Sequence, residues 1–117
     1  MSRRLFSTLE TSMVDVSTKI PTVRVAVAQC EVKLDQTSYN LLKANKLQKG
    51  NALIQAEIAG IMASKKTSLL IPLCHQINLD YSKITYEWCD TSTTLRILCS
   101  VQVTDKTGCE MEAIVGS

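Results

Sequence analysis

Two runs of alternating apolar and polar residues, Ile77 to Trp88 and Thr94 to Val103, flank the polar stretch Cys89-Asp-Thr-Ser-Thr93. Side chains in a strand point to alternate faces, so two such runs joined by a few turn-forming residues predict an antiparallel β-hairpin with one buried face. A third run, Thr22 to Leu34, has the same period: Val23, Val25 and Val27 alternate with Arg24, Ala26 and Ala28, and Val32 and Leu34 resume the pattern after Cys30. Pro21 disfavours helix immediately before it, and Met13-Val-Asp-Val-Ser17 reads as a further short extended segment. A chain with this much strand needs helices to cover its sheet.

Two stretches supply them. Asp35 to Leu47 predicts a short helix, with Asp or Thr at its N-cap and Tyr39, Leu41 and Leu42 at helical spacing. Lys49-Gly50-Asn51 then punctuates the chain, with Asn51 suited to cap a second helix over Ala52 to Ser64. Nearly every position of that helix is apolar or small, which predicts burial on most sides, either centrally or in a subunit interface. Lys65 and Lys66 follow at its C-terminal end, where the helix dipole favours positive charge. Leu69 to His75 is a compact apolar segment broken by Pro72. Two helices and three or four strands in mixed order define an α+β fold, an antiparallel sheet with helices on one face.

Near the end, Asp105-Lys-Thr-Gly108 predicts a turn, and Thr107 with Glu110 fits a capping box opening a helix from Cys109 to Val115. Such a helix has about two turns, fewer than the roughly 10 to 14 residues usual in globular proteins. The sequence reads as a terminal helix cut short.

A chain of 117 residues holds one domain, since a second core would need roughly another 100 residues. Apolar residues at 45% and charged residues at 21% lie far from the composition of disorder. The aromatic content is only 4% and the net charge +2, which argues against base-stacking platforms and against a whole-molecule nucleic-acid surface. No apolar run approaches the roughly 18 to 20 residues of a membrane-spanning helix. The five cysteines are an odd number without a CxxC pair or a secretory signal ahead of them, which favours a reducing compartment. Residues 1–12 read as a leader or as an ordinary N-terminus. Met1 to Leu9 is basic, carries Ser and Thr and has no acid before Glu10, the composition of a mitochondrial presequence. That makes the mitochondrial matrix the expected location, with the cytoplasm as the alternative.

His75 is the single histidine and the one side chain whose ordinary pKa suits proton transfer near neutral pH; the alternative is a hydrogen-bonded structural residue. Cys74 beside it could form a nucleophilic pair, but neighbours on an extended segment face opposite ways. One histidine and scattered cysteines supply no zinc-ligand set. Glu110 and Glu112 would lie about 200° apart on a helix. Both can serve one site only if the helix start is irregular or a second subunit approaches. Lys49 precedes a helix start, where free N–H groups favour anions, while Lys49, Lys65 and Lys66 can also be read as solvated charges.

Met13-Val-Asp-Val-Ser17, Lys49-Gly50, Ile58-Ala-Gly60, Leu70-Ile-Pro-Leu-Cys-His75 and Lys106-Thr-Gly-x-Glu-Met-Glu-Ala113 together resemble the MoaC family of molybdenum-cofactor synthesis, the cyclic pyranopterin monophosphate synthases. The resemblance covers essentially everything from about Met13 to Ala113, within a domain placed at residues 13–117. It implies a ferredoxin-like fold, a homo-oligomer assembled as a hexamer from dimers, and active sites at subunit interfaces. The implied reaction converts 3′,8-cyclo-7,8-dihydroguanosine 5′-triphosphate into cyclic pyranopterin monophosphate and diphosphate, with no metal and no cofactor. By the same resemblance, Leu73, Cys74 and His75 match one substrate-binding segment and Met111 and Glu112 another. Lys49, Lys65, Glu110 and Glu112 match polar residues of the family pocket, and Lys49, His75, Glu110 and Glu112 are the catalytic candidates.

The sequence departs from the family pattern twice. Lys-Gly-Asp is replaced by Lys49-Gly50-Asn51, an exchange that keeps a good helix cap. The family continues its terminal helix through Tyr-Asp-Met-Cys-Lys-Ala, whose Asp and Lys the resemblance assigns to catalysis, whereas this sequence runs to Ile114-Val-Gly-Ser117. An alternative reading is therefore an inactive form that pairs with full-length subunits through its apolar helix.

Overall fold

The computed structural model describes residues 10–117; the basic stretch Met1 to Leu9 read above as a leader lies outside the described residues. Three strands form one antiparallel sheet: β1 (Thr22–Lys33), β2 (Leu79–Cys89) and β3 (Thr94–Asp105), in the order β1-β3-β2. The alternating runs give the strands and the polar Asp90-Thr-Ser-Thr93 turn gives the hairpin, with Cys89 opposite Thr94 and Ile84 opposite Cys99. β1 pairs along its whole length with β3, Ala26 opposite Val101 and Ala28 opposite Cys99. Helices separate β1 from β2, which run parallel with β3 between them: the opening of a β-α-β-β-α-β ferredoxin-like arrangement. The α+β expectation holds. Met13 to Val16, read as extended, joins no strand.

Among the described residues there are four helices: α1 (Gln36–Lys43), α2 (Ala52–Lys65), α3 (Thr67–Leu70) and α4 (Glu110–Gly116). Asp35 caps α1 by accepting from the Ser38 N–H at 2.6 Å, and Asn51 caps α2 by accepting from the Ile54 N–H at 3.2 Å. α1 stops earlier than its apolar pattern predicts. Asn45 adopts a left-handed φ of 55°, its N–H bonds to Leu42 O and the Lys46 N–H to Leu41 O, a Schellman closure that ends the helix. The capping box expected at α4 does not form. The N-cap is Cys109 with no side-chain cap bond, because its thiol sits in the core toward the carbonyls of Arg24 and Val101.

α2 and α4 lie on one face of the sheet, over Ile84, Cys99, Val101 and Val103, and α4 with its N-cap adds Cys109 and Ala113 to that core. Their backbones meet at two glycines: a Cβ on Gly60 would stand 2.7 Å from Gly116 O and 2.9 Å from Ile84 Cδ1. Such proximity also explains which face of β1 turns inward. The side with Ala26 and Ala28 packs under the helices, while Val23, Val25 and Val27 project from the uncovered face at 64%, 63% and 60% exposure.

The expectation that α2 is buried on most sides is corrected within the single chain. Its Gly60 and Ser64 are buried, but Ile54, Ile58 and Met62, one stripe at i, i+4 and i+8, are exposed. Tyr86 Oη, which donates to Leu53 O at 2.6 Å, and the Ser64–Ser82 hydroxyl pair at 2.9 Å pin the inner side of α2 to β2. Among the described residues no helix is long and apolar enough to cross a membrane.

Candidate functional site

The segment 71–74 is a turn, closed by the Cys74 N–H bonding to Ile71 O at 3.1 Å. That overturns the extended reading under which Cys74 and His75 face opposite ways. Leu73, Cys74 and His75 instead line one cavity of about 270 Å³ together with Thr107, Gly108, Glu110, Met111 and Glu112. Two segments 30 residues and more apart in sequence thus meet at the N-terminal turn of α4.

A third wall comes from the start of the described chain. Val14, Val16 and Lys19 complete the lining. This strap is shaped by Asp15, whose carboxylate accepts from the Ser17 N–H at 2.9 Å, and by the Lys19 N–H bonding to Val16 O at 3.0 Å. It is held down by His75, whose Nε2 lies 2.6 Å from Val14 O, and by Lys106 Nζ, 3.5 Å from Ser17 O.

Glu110 and Glu112 both reach the cavity from one helix. Glu112 points inward from the first turn and is 4% exposed. Glu110 folds its carboxylate back over Gly108, into space that any Cβ there would occupy. A residue without a side chain at 108 is what lets the two acids share a site, so neither an irregular helix nor a second subunit is required to bring them together.

Burial pushes the Glu112 carboxyl above its ordinary value, and the charge of Glu110 adds to this against the pull of a backbone N–H. Burial likewise raises the Cys74 thiol, with Glu112 contributing. A thiol held protonated beside a carboxylate is a poor nucleophile, and no hydrogen bond joins it to His75 among the described residues. The arrangement supports proton transfer by carboxyl and imidazole groups.

The lysines are placed differently from expectation. Lys49 and Lys65, on the two ends of α2, are exposed and do not line this cavity, and neither does Lys66. The ammonium that does line it is Lys19, which the sequence reading missed. Its signal was its position two residues beyond Met13-Val-Asp-Val-Ser17, a segment that had no assigned task until the fold brought it to His75.

A split βαβ sheet with a cavity lined by His75, Glu110 and Glu112 at the start of α4 defines a small α+β domain. The chain belongs to the MoaC family, whose model matches residues 13–117. It is 41% identical over 106 residues to a Nitratidesulfovibrio vulgaris protein named cyclic pyranopterin monophosphate synthase, covering 91% of this chain and 66% of that protein. Proteins of the same name from Staphylococcus aureus (strain bovine RF122 / ET3-1) and Herpetosiphon aurantiacus are 44% and 45% identical, each over 90% of this chain and over 66% and 64% of their own lengths. The chain therefore spans just under two thirds of the length of these relatives.

Proposed function

We propose that this chain serves molybdenum cofactor biosynthesis by the reaction named in its relatives, converting 3′,8-cyclo-7,8-dihydroguanosine 5′-triphosphate to cyclic pyranopterin monophosphate with release of diphosphate. One observation carries the reading: three of the five segments that resemble the family, 13–17, 70–75 and 106–113, converge on one cavity lined by a histidine, two glutamates and a lysine. Glu112, held toward its protonated form by burial, suits proton donation, and His75 suits proton acceptance. Lys19 offers positive charge for a phosphate group. Leu73 and Met111 provide an apolar wall against a ring.

A triphosphate needs more positive charge than one lysine gives. Lys49 and Lys65 supply it from a neighbouring copy, within a homohexamer built as a trimer of dimers. Their exposure and the uncovered Ile54, Ile58 and Met62 stripe between them support that placement. The expected location is the mitochondrial matrix, tested by imaging the full chain with and without residues 1–12.

The test is diphosphate release and product mass on incubation with the cyclised nucleotide, for the chain as it stands and continued to the length of its relatives. Folded protein that yields no product in either form rejects the reading. Mixing Lys49→Ala with His75→Ala variants should restore activity that each lacks alone. Failure to recover would place all the groups in one chain.

A further inference from the structure

His75 Nε2 lies 2.6 Å from the carbonyl oxygen of Val14. A backbone carbonyl has no proton to give, so at this distance the ring nitrogen must donate. Each ring nitrogen of a neutral imidazole is either donor or acceptor, and fixing one fixes the other. We infer that the Val14 carbonyl locks His75 in its Nε2–H tautomer and leaves Nδ1 as the one ring atom able to take a proton.

The lock depends on a backbone atom, and the backbone is held at several points. The Asp15 carboxylate accepts from the Ser17 N–H at 2.9 Å and closes a turn one residue beyond Val14. The Lys19 N–H bonds to Val16 O at 3.0 Å, and Lys106 Nζ reaches Ser17 O at 3.5 Å from the far side of the cavity. Among the described residues Nδ1 has no hydrogen-bond partner of its own. Asp15 is thereby a positioning residue: it does not itself line the cavity and has no hydrogen bond to the imidazole, and it acts through the carbonyl that its turn presents.

A chemical consequence follows, and it rests on the proposed reading of the cavity as an acid–base site. A histidine tied at Nε2 does not shuttle a proton from one ring nitrogen to the other. It takes a proton at Nδ1 and returns it from Nδ1, while its bond to Val14 O strengthens as the ring becomes charged. The donor and acceptor of the substrate must then lie on the same side of the ring, which restricts the poses it can adopt.

The chain has a single histidine, so long-range proton–nitrogen correlation on the uniformly labelled full chain reads both ring nitrogens without ambiguity. At alkaline pH, with the ring neutral, the expected result is a pyrrole-type shift for Nε2 and a pyridine-type shift for Nδ1. The reverse assignment, or two averaged shifts, overturns the inference. Asp15→Ala should move the two shifts toward a common averaged value, with the circular dichroism spectrum unchanged. If the separation survives that substitution and also Lys106→Ala, the strap does not set the tautomer. Neither measurement uses substrate: a failed turnover assay leaves this result standing, and a wrong tautomer leaves the proposed reaction standing.

Discussion

The sheet carries a cavity at each end, about 270 Å³ beside the start of α4 and about 310 Å³ where β2 turns into β3. They are similar in size and opposite in character. At the hairpin end Arg96 bonds both Glu31 and Glu87 at 3.1 Å across three strands. Lys43 and the Tyr39 hydroxyl both reach the Asp90 carboxylate at 2.6 Å. Tyr39 is pushed up to about 12 by burial first and by Asp90 second, so it stays a neutral donor. Every charge named there is matched to an opposite one. At the α4 end, Glu112 is buried with no ion pair among the described residues, and Glu110 repels it. Leaving a carboxyl unmatched in the interior costs stability. The contrast sets a charge-matched structural joint at one end against the unmatched groups that the proposed function uses at the other.

The largest expected effect separates the two ends by activity. In the diphosphate-release assay, Glu112→Gln or His75→Ala should lower turnover by about 10²-fold or more, while Arg96→Gln leaves it near the parent value. Comparable losses at both ends would abolish the distinction. A second test concerns the contact that supports the α4 end. Gly60→Ala should cost about 1 to 3 kcal/mol, read from denaturant unfolding, because its new methyl meets the Gly116 carbonyl and Ile84 rather than a flexible side-chain tip.

A smaller effect is expected at the joint. Tyr39→Phe removes the hydroxyl from Asp90 while keeping the edge-on ring contact with Trp88 at 5.5 Å, so its unfolding midpoint should fall slightly and turnover should not change. The smallest effect is in pH dependence. A carboxyl whose folded value is raised binds more protons folded than unfolded, so stability declines as pH climbs from the ordinary value of 4.5 through the raised one. Glu112→Gln should remove that decline: relative to the parent, the variant gains stability across this window and the gain persists above it. A difference curve that is flat with pH would show that Glu112 keeps its ordinary titration.

How much of this was legible in the sequence follows the range of the forces involved. Strand alternation and the Asp35 and Asn51 caps are local, and they appear where the residues put them. The early end of α1 hangs on one left-handed residue, Asn45, in a stretch whose apolar spacing continues past it. Cys109 displaced the capping box because a buried thiol outweighed a local motif. The meeting of Glu110 with Glu112 needed Gly108, whose missing side chain is visible in the sequence but whose crowded neighbour is not. Lys19 could not be found by spacing, since its nearness to His75 depends on a chain reversal of more than 50 residues. Lys49 and Lys65 stand out by their places at the two ends of α2 and by the resemblance, and in the single chain they stand away from the cavity.

The cavity is walled by residues 14–19, 73–75 and 107–112, and none of the three stretches neighbours another along the polypeptide. A nascent chain leaving the ribosome therefore carries the strap through most of its synthesis, and the imidazole from residue 75 onward, with nowhere to place them. Only when α4 emerges and packs on α2 and β1 does the cavity come into being. Contacts of such long sequence separation form late, so the cavity closes only after the strap, the turn at 71–74 and α4 have all been made.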